Sequence, residues 1–322
     1  MLALASPGSL KGVLSPLEAA ALLAAGMRRV PGLLVHELPV ADGGEGTAEV
    51  IQAALGGEWR TAVVPDPLGR PAAARWLLLP DGTAVVEAAA AIGLPRLRDR
   101  ERDPLVATSH GLGELLLAAL DALPRSILVG VGGTATVDGG VGMRAVLGGR
   151  LRDIPIRVAC DVRNPLLGER GAARVFGPQK GATAAVVEEL ERRLASLDEL
   201  APYRDLPGAG AGGGLGAAFA ALGAELVEGA ELVLEAIRFV ELAASAQLVV
   251  TGEGAVDSTT FEGKAPGTVR RHCERLGVRC ELFGGIVRDD IDAHALSGRR
   301  AFAGEDLVEL GESLALRALD FA

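Results

Sequence analysis

Four glycine-rich segments, each following or adjoining an apolar run, constrain this chain more than any other feature. They are Ala41–Thr47 (ADGGEGT), Gly130–Gly140 (GVGGTATVDGG), Pro207–Gly216 (PGAGAGGGLG) and Thr251–Ser258 (TGEGAVDS). Glycine directly after a strand admits positive φ and lets backbone N–H groups approach a ligand, which is how phosphate cradles are built. Three of the segments also carry carboxylates: Asp42 and Glu45, Asp138, and Glu253 with Asp257. Carboxylates among phosphate-binding amides repel the ligand unless a divalent cation lies between. Glycines, acids and Ser/Thr together therefore read as Mg2+–nucleotide chemistry. One such cluster alone would be a tight turn with an acid capping the next helix; four with the same pattern favour a ligand. Gly43, Gly44, Gly132, Gly133, Thr134, Gly210, Gly212, Gly252 and Gly254 are then candidate phosphate- or substrate-binding positions. Asp42, Glu45, Asp138, Glu253 and Asp257 are candidate metal ligands.

The apolar runs set the architecture. Leu2–Ala5, Leu33–Val40, Gln247–Thr251, Arg279–Gly284 and Arg300–Ala303 are candidate strands, and helical patterns at Pro16–Arg29 and Thr47–Leu55 follow the first two. Strands alternating with helices predict a parallel α/β sheet. All five runs lie towards the chain ends. Between them, Arg75–Leu79 and Ala84–Ala88 flank an Asp81-Gly82 turn and read as a hairpin. A helix at Gly113–Ala122, strands at Ser126–Val131 and Ile156–Ala159, and acid-rich helices at Ala185–Leu200 and Gly223–Ala243 complete the middle. The simplest partition is one α/β domain from both termini (1–60 and 243–322) with a second α/β domain (61–242) inserted.

Composition narrows the function classes. A net charge of −10 over 322 residues argues against nucleic acid or an anionic membrane as partner. At 49% apolar and 23% charged the chain is globular. The three cysteines, Cys160, Cys273 and Cys280, make no disulfide framework and suit a reducing cytosol. The N-terminus lacks the basic and apolar regions of a signal peptide. The uncharged stretch Leu206–Ala224 holds seven glycines and Pro207, which disfavours a spanning helix. Only three lysines, Lys11, Lys180 and Lys264, stand against 29 arginines. A lysine kept in so arginine-rich a chain hints at a need for a compact ammonium.

Two familiar signatures fail. Gly263-Lys264 is followed by Ala265, so there is no Walker A loop. Gly208-x-Gly210-x-x-Gly213 matches dinucleotide spacing, but Asp205-Leu-Pro207 precedes it where a strand should lie. An NAD-dependent dehydrogenase is thus weakly supported. No Gly-x-Ser-x-Gly elbow or zinc spacing occurs. The segment Ala159–Pro165 ends an apolar strand with Asp161 and holds the single asparagine, Asn164. It leads to Gly177–Gly181 and Lys180. Asp161 could accept a proton from a substrate hydroxyl, Lys180 could neutralise phosphoryl charge, and Asn164 is a candidate substrate- or phosphate-binding residue, whereas an Asp161 that caps the next turn and a turn-forming Asn-Pro are the structural alternatives.

Together these segments resemble the type-1 glycerate kinase family. The resemblance runs along nearly the whole chain: Pro7–Lys11, Val40–Thr47, Arg102–Val106, Gly130–Met143, Ala159–Thr183, Gly208–Ala217 and Thr251–Pro266. It implies ATP- and Mg2+-dependent phosphorylation of a D-glycerate hydroxyl, and two α/β domains around a cleft. One would be a flavodoxin-like or Rossmann-like parallel sheet built from both termini. All three lysines fall in family motifs: Lys11 and Lys264 as anchors for the glycerate carboxylate or phosphates beside Ser9, Lys180 and Lys264 in catalysis, and Asp161 as base. Two departures stand out. Gly8 occupies a place where the family usually carries aspartate, and only Gly148–Pro155 bridges a helix and a strand that the family separates by a few dozen residues. A shortened active kinase, a kinase for another small hydroxy acid, and a ligand-binding relic without turnover are the three functional expectations.

Overall fold

The computed structural model describes residues 1–148, 151, 153–288 and 290–319. It resolves into two compact units: Met1–Asp42 with Glu49–Ala54 and Ala230–Ala322, and Gly43–Ala48 with Leu55–Gly229. Both are α/β, and eleven strands, numbered along the chain, form two sheets among the described residues.

The first unit holds β1 (Leu2–Ala5), β2 (Leu34–Glu37), β9 (Leu248–Val256), β10 (Arg279–Val287) and β11 (His294–Ala295) in the order β11-β10-β9-β1-β2. All neighbours run parallel. Ala3–Ala5 and Leu248–Val250 are buried, as central strands covered on both faces must be. The helix Pro16–Met27 starts at Ser15, whose hydroxyl accepts the Glu18 N–H while Glu18 Oε2 accepts the Ser15 N–H at 2.8 Å. It packs on the helix Ala303–Leu319 so closely that a Cβ on Gly26 would lie 1.9 Å from the Val308 carbonyl oxygen. Leu23, Met27, Phe283, Leu307 and Leu314 fill the core on that side. The chain leaves β1 towards β2 on one side of the sheet and returns on the other at β9. The loops at the carboxyl ends of β1 and β9 therefore diverge at a topological switch point, the usual ligand position in open parallel sheets.

One expected strand is not one. Arg300–Phe302 is a turn of 3-10 helix leading into the helix Ala303–Leu319, and the fifth strand is His294–Ala295. Ala301 and Phe302 are exposed, so the run offers a sheet nothing to bury, while Glu305 and Asp306 suit a helix first turn.

The second unit carries β3 (Glu58–Pro65), β4 (Pro71–Leu78), β5 (Thr83–Glu87), β6 (Ser126–Gly130), β7 (Ile156–Ala159) and β8 (Glu225–Val227) in chain order. β3, β4 and β5 are antiparallel, including the hairpin turning at Asp81-Gly82; β5 to β8 are parallel. β3 was not expected, because as an edge strand it leaves Val63 71% exposed and lacks a clean apolar alternation. The expected helix Gly223–Ala243 is instead β8, paired to β7, followed by the helices Gly229–Ala236 and Phe239–Ala243. Those helices go with the first unit: Glu231 accepts from Arg271 at 3.0 Å and meets His272 Nε2 at 2.7 Å, and the Phe239 ring stands edge-on to His272. The chain passes between the two units after Asp42, Ala48, Ala54 and Gly229. Among the described residues no helix is long and apolar enough to cross a membrane.

Candidate active site

In the first unit the chain beyond β1 runs beside β9. Ser6 N–H donates to the Val250 carbonyl at 2.8 Å, Gly8 N–H to Gly252 at 2.8 Å, and Gly254 N–H to Ser9 at 3.3 Å. A Cβ on Gly252 would sit 2.2 Å from the Phe283 carbonyl oxygen, and one on Gly254 3.3 Å from Lys11 N. Glycine at both positions is thus what lets three backbone segments approach. Ser9 and Lys11 are exposed on this edge. Glu253 lies half-buried; its Oε1 accepts the Thr260 hydroxyl at 2.7 Å and meets Lys264 Nζ at 3.4 Å, and Lys264 Nζ stands 3.9 Å from Asp257. Burial holds the Glu253 carboxyl above its ordinary value and the Asp42 charge adds to this, against the lowering by Thr260 and Lys264. Asp257 caps the turn Ser258–Phe261 through the Thr259 N–H and hydroxyl, and its pKa is lowered mainly by that hydroxyl. Lys264 is the N-cap residue of the helix Ala265–Leu276.

In the second unit, Glu87 ends β5, Gly130 ends β6, and exposed Asp161 lies two residues beyond β7. The segment Gly43–Ala48 rests on this edge. Gly43 has φ +92°, and a Cβ there would strike the Ala159 Cβ at 2.4 Å. Cβ atoms on Gly130 and Gly132 would fall 2.5 Å from the Gly43 oxygen and 3.0 Å from the Gly44 Cα. These glycines permit two loops to stack. Gly43 N–H donates to the Thr47 hydroxyl at 3.1 Å, and Glu87 accepts the Ala48 N–H at 2.9 Å where the helix Thr47–Leu55 begins. Glu45 is exposed.

The loop Gly130–Gly140 is held at several points. Leu94 N–H donates to Gly133 at 2.8 Å, and Ala135 N–H to Ile92 at 2.9 Å. Lys180, buried, donates to the Thr136 carbonyl at 2.8 Å and the Thr134 hydroxyl at 3.3 Å. Asp138 Oδ2 accepts the Ser109 N–H at 2.8 Å, the Ser109 hydroxyl at 2.7 Å and the Gly142 N–H at 3.2 Å, while Oδ1 accepts the Gly140 N–H at 3.0 Å. With four donors its carboxylate serves loop structure, and as a metal ligand it would have to give some of them up.

The Gly208–Gly216 cluster is packing beneath this loop. Gly212, Gly213 and Gly214 have positive φ inside the helix Ala211–Ala221, and Gly139 N–H donates to Gly213 at 3.1 Å. A Cβ on Gly212 would lie 3.0 Å from the Val131 oxygen. Gly210 abuts Pro165 in the same way, at 2.4 Å, and donates to the Asn164 carbonyl at 2.9 Å. Asn164 Nδ2 is spent on the Arg170 carbonyl at 2.7 Å, so Asn164 behaves as the turn former. Sequence reasoning missed Ser109, Glu87 and Thr260. Serine before an apolar helical run was a visible cue for the first, since Ser109 precedes the helix His110–Leu120.

Burial pushes the Lys180 ammonium down to about 7, with Asp138 opposing. Between that value and its ordinary 10.5 the unfolded chain binds one proton more than the folded chain, so stability rises with pH across the window. Over roughly pH 7 to 10 the protein should therefore gain on the order of 1 kcal/mol per pH unit relative to Lys180→Met. Urea unfolding of both proteins at several pH values tests this; parallel pH dependences would refute it.

Among the described residues no three His, Cys, Asp or Glu side chains gather as a metal site. Glu253 with Asp42 nearby suits a hard cation that keeps most of its waters and takes other ligands from bound phosphates. Asp138 and Asp257, engaged by backbone and hydroxyl donors, suit it less.

A model of the glycerate kinase family matches residues 3–154 and 147–308. The two matches meet at the short link between the helix Val141–Leu147 and β7, in which Gly149, Arg150 and Arg152 lie outside the described residues. The glycerate 2-kinase of Escherichia coli K12 is 41% identical over 325 residues, covering 89% of this chain and 85% of its own. The glycerate kinase of Bacillus subtilis 168 is 40% identical, with coverages of 89% and 86%. The crystal structure of a Salmonella typhimurium LT2 protein provisionally called glycerate kinase 2 superposes with a TM-score of 0.86 at 36% identity, covering 100% of both chains. Two α/β units, glycine loops at strand ends and relatives of this identity along most of the length lead to one assignment: the chain belongs to the glycerate kinase family.

Proposed function

We propose that this chain transfers the γ-phosphoryl group of ATP to a hydroxyl of D-glycerate, in the cytosol, with the 2-hydroxyl as acceptor, the position named in its Escherichia coli relative. Support comes above all from the Gly130–Gly140 loop, held by side chains and backbone at the carboxyl end of a parallel sheet, with the Asp161 carboxylate at the end of the adjacent strand. The glycerate oxygen attacks phosphorus, the bond from phosphorus to the β-phosphate oxygen breaks, and the hydroxyl proton passes to Asp161. Cationic Lys264 and exposed Lys11 would hold the glycerate carboxylate or the phosphates beside Ser9. Glu253 and Asp42 would hold Mg2+, which when bound with ATP neutralises phosphate charge.

The remaining expectations are tested in one experiment. ADP formation should require both D-glycerate and Mg2+, disappear with EDTA, and be slower with glycolate or lactate. Preference for another hydroxy acid would shift the substrate. ATP and glycerate binding without ADP release would leave a binding protein.

A further inference from the structure

We propose that Ser109 and Lys180 are positioning residues for phosphoryl transfer, acting through the Gly130–Gly140 loop rather than on the substrates. This rests on the kinase reading above. Ser109 is fully buried and works in both directions: its hydroxyl donates to Asp138 at 2.7 Å and accepts the Met143 N–H at 2.9 Å, while its own N–H donates to Asp138. One serine thereby joins the start of the helix His110–Leu120 to the start of the helix Val141–Leu147 and to the acid between loop and helix. Lys180 holds the other side. Its ammonium, inside the unit, takes the Thr136 carbonyl and the Thr134 hydroxyl. A peptide unit is planar and trans, so drawing the Thr136 carbonyl onto Lys180 turns the Val137 N–H the opposite way.

The cost of this arrangement is visible. The Thr136 hydroxyl is buried without a hydrogen-bond partner, and an ammonium has been taken out of water. Buried polar groups held at such cost belong where the backbone must keep one geometry. Donors fixed before the reaction need no reorganisation during it, which is where loops of this kind gain rate. A direct neutralising contact from Lys180 to a phosphoryl group fits less well, since its nitrogen is committed to the loop.

The test compares Ser109→Ala, Ser109→Thr and Lys180→Met with the intact protein by steady-state kinetics and by hydrogen exchange. Ser109→Ala and Lys180→Met should lower kcat about 10- to 100-fold, with KM for ATP and D-glycerate changed less than about threefold. Ser109→Thr, which keeps the hydroxyl, should recover most of the loss. In the unmodified protein without ligand, the amides of Gly139, Gly140 and Gly142 should be strongly protected, and that protection should fall selectively in the variants. Undiminished kcat, a rise in KM alone, or unprotected loop amides in the unmodified protein would each overturn the proposal. If Ser109→Ala or Lys180→Met fails to fold, the other variant, compared with Ser109→Thr, carries both readouts. Absence of glycerate kinase activity in the unmodified protein would instead remove the kinase reading, leaving loop protection to be judged separately.

Discussion

Asp161→Asn is expected to lower D-glycerate-dependent ADP formation by about 10²- to 10⁴-fold, the range for removing a positioned general base. The substitution keeps size and shape at an exposed position, so stability should change by less than about 1 kcal/mol. Neighbouring Cys160 offers no substitute. Burial, with the Asp161 charge adding, pushes its thiol up to about 12, so it stays protonated at neutral pH. Asp138 is no substitute either, because its oxygens are engaged by Ser109, Gly140 and Gly142. Kinetics and thermal unfolding of the same preparation separate the two effects. A folded variant retaining a tenth or more of the original kcat would show that the base lies elsewhere.

Gly213→Ala is expected to cost about 3–5 kcal/mol of stability, enough to threaten folding. Two penalties combine. The residue has φ +76°, and its new Cβ would sit 1.9 Å from the Thr136 oxygen and 2.8 Å from the Val137 Cα. Both contacts are backbone, so no side-chain rotation relieves them. The strain would fall on the part of the loop that Lys180 holds through Thr136. Denaturant unfolding measures the loss. A stable variant with altered NAD affinity would instead mean that the Gly208-x-Gly210-x-x-Gly213 spacing is a dinucleotide turn, against its packing role here.

Much of the fold was legible because its central strands are short and apolar. β1 and β7 announce themselves in this way, and the Asp81-Gly82 turn marks the hairpin of β4 and β5. β3 and β8 were not legible: β3 is an edge strand that leaves Val63 exposed, and β8 is three residues long with its partner β7 distant in sequence. The glycine clusters were recognised, but their meaning split. Gly252, Gly130 and Gly213 all make room for another backbone, which a sequence cannot distinguish from making room for a phosphate. Lys180 stood out by rarity, yet only its burial under Thr134 and Thr136 shows that its charge is turned inward. Ser109 went unnoticed because its partner, Asp138, lies 29 residues away.

Phosphorus NMR of a reaction containing the protein, ATP, Mg2+ and D-glycerate tests the central claim most directly. The account predicts one new phosphomonoester, 2-phosphoglycerate, growing in step with ADP and without free phosphate. ATP left unchanged, or ADP matched by inorganic phosphate with no phosphoglycerate, would contradict it.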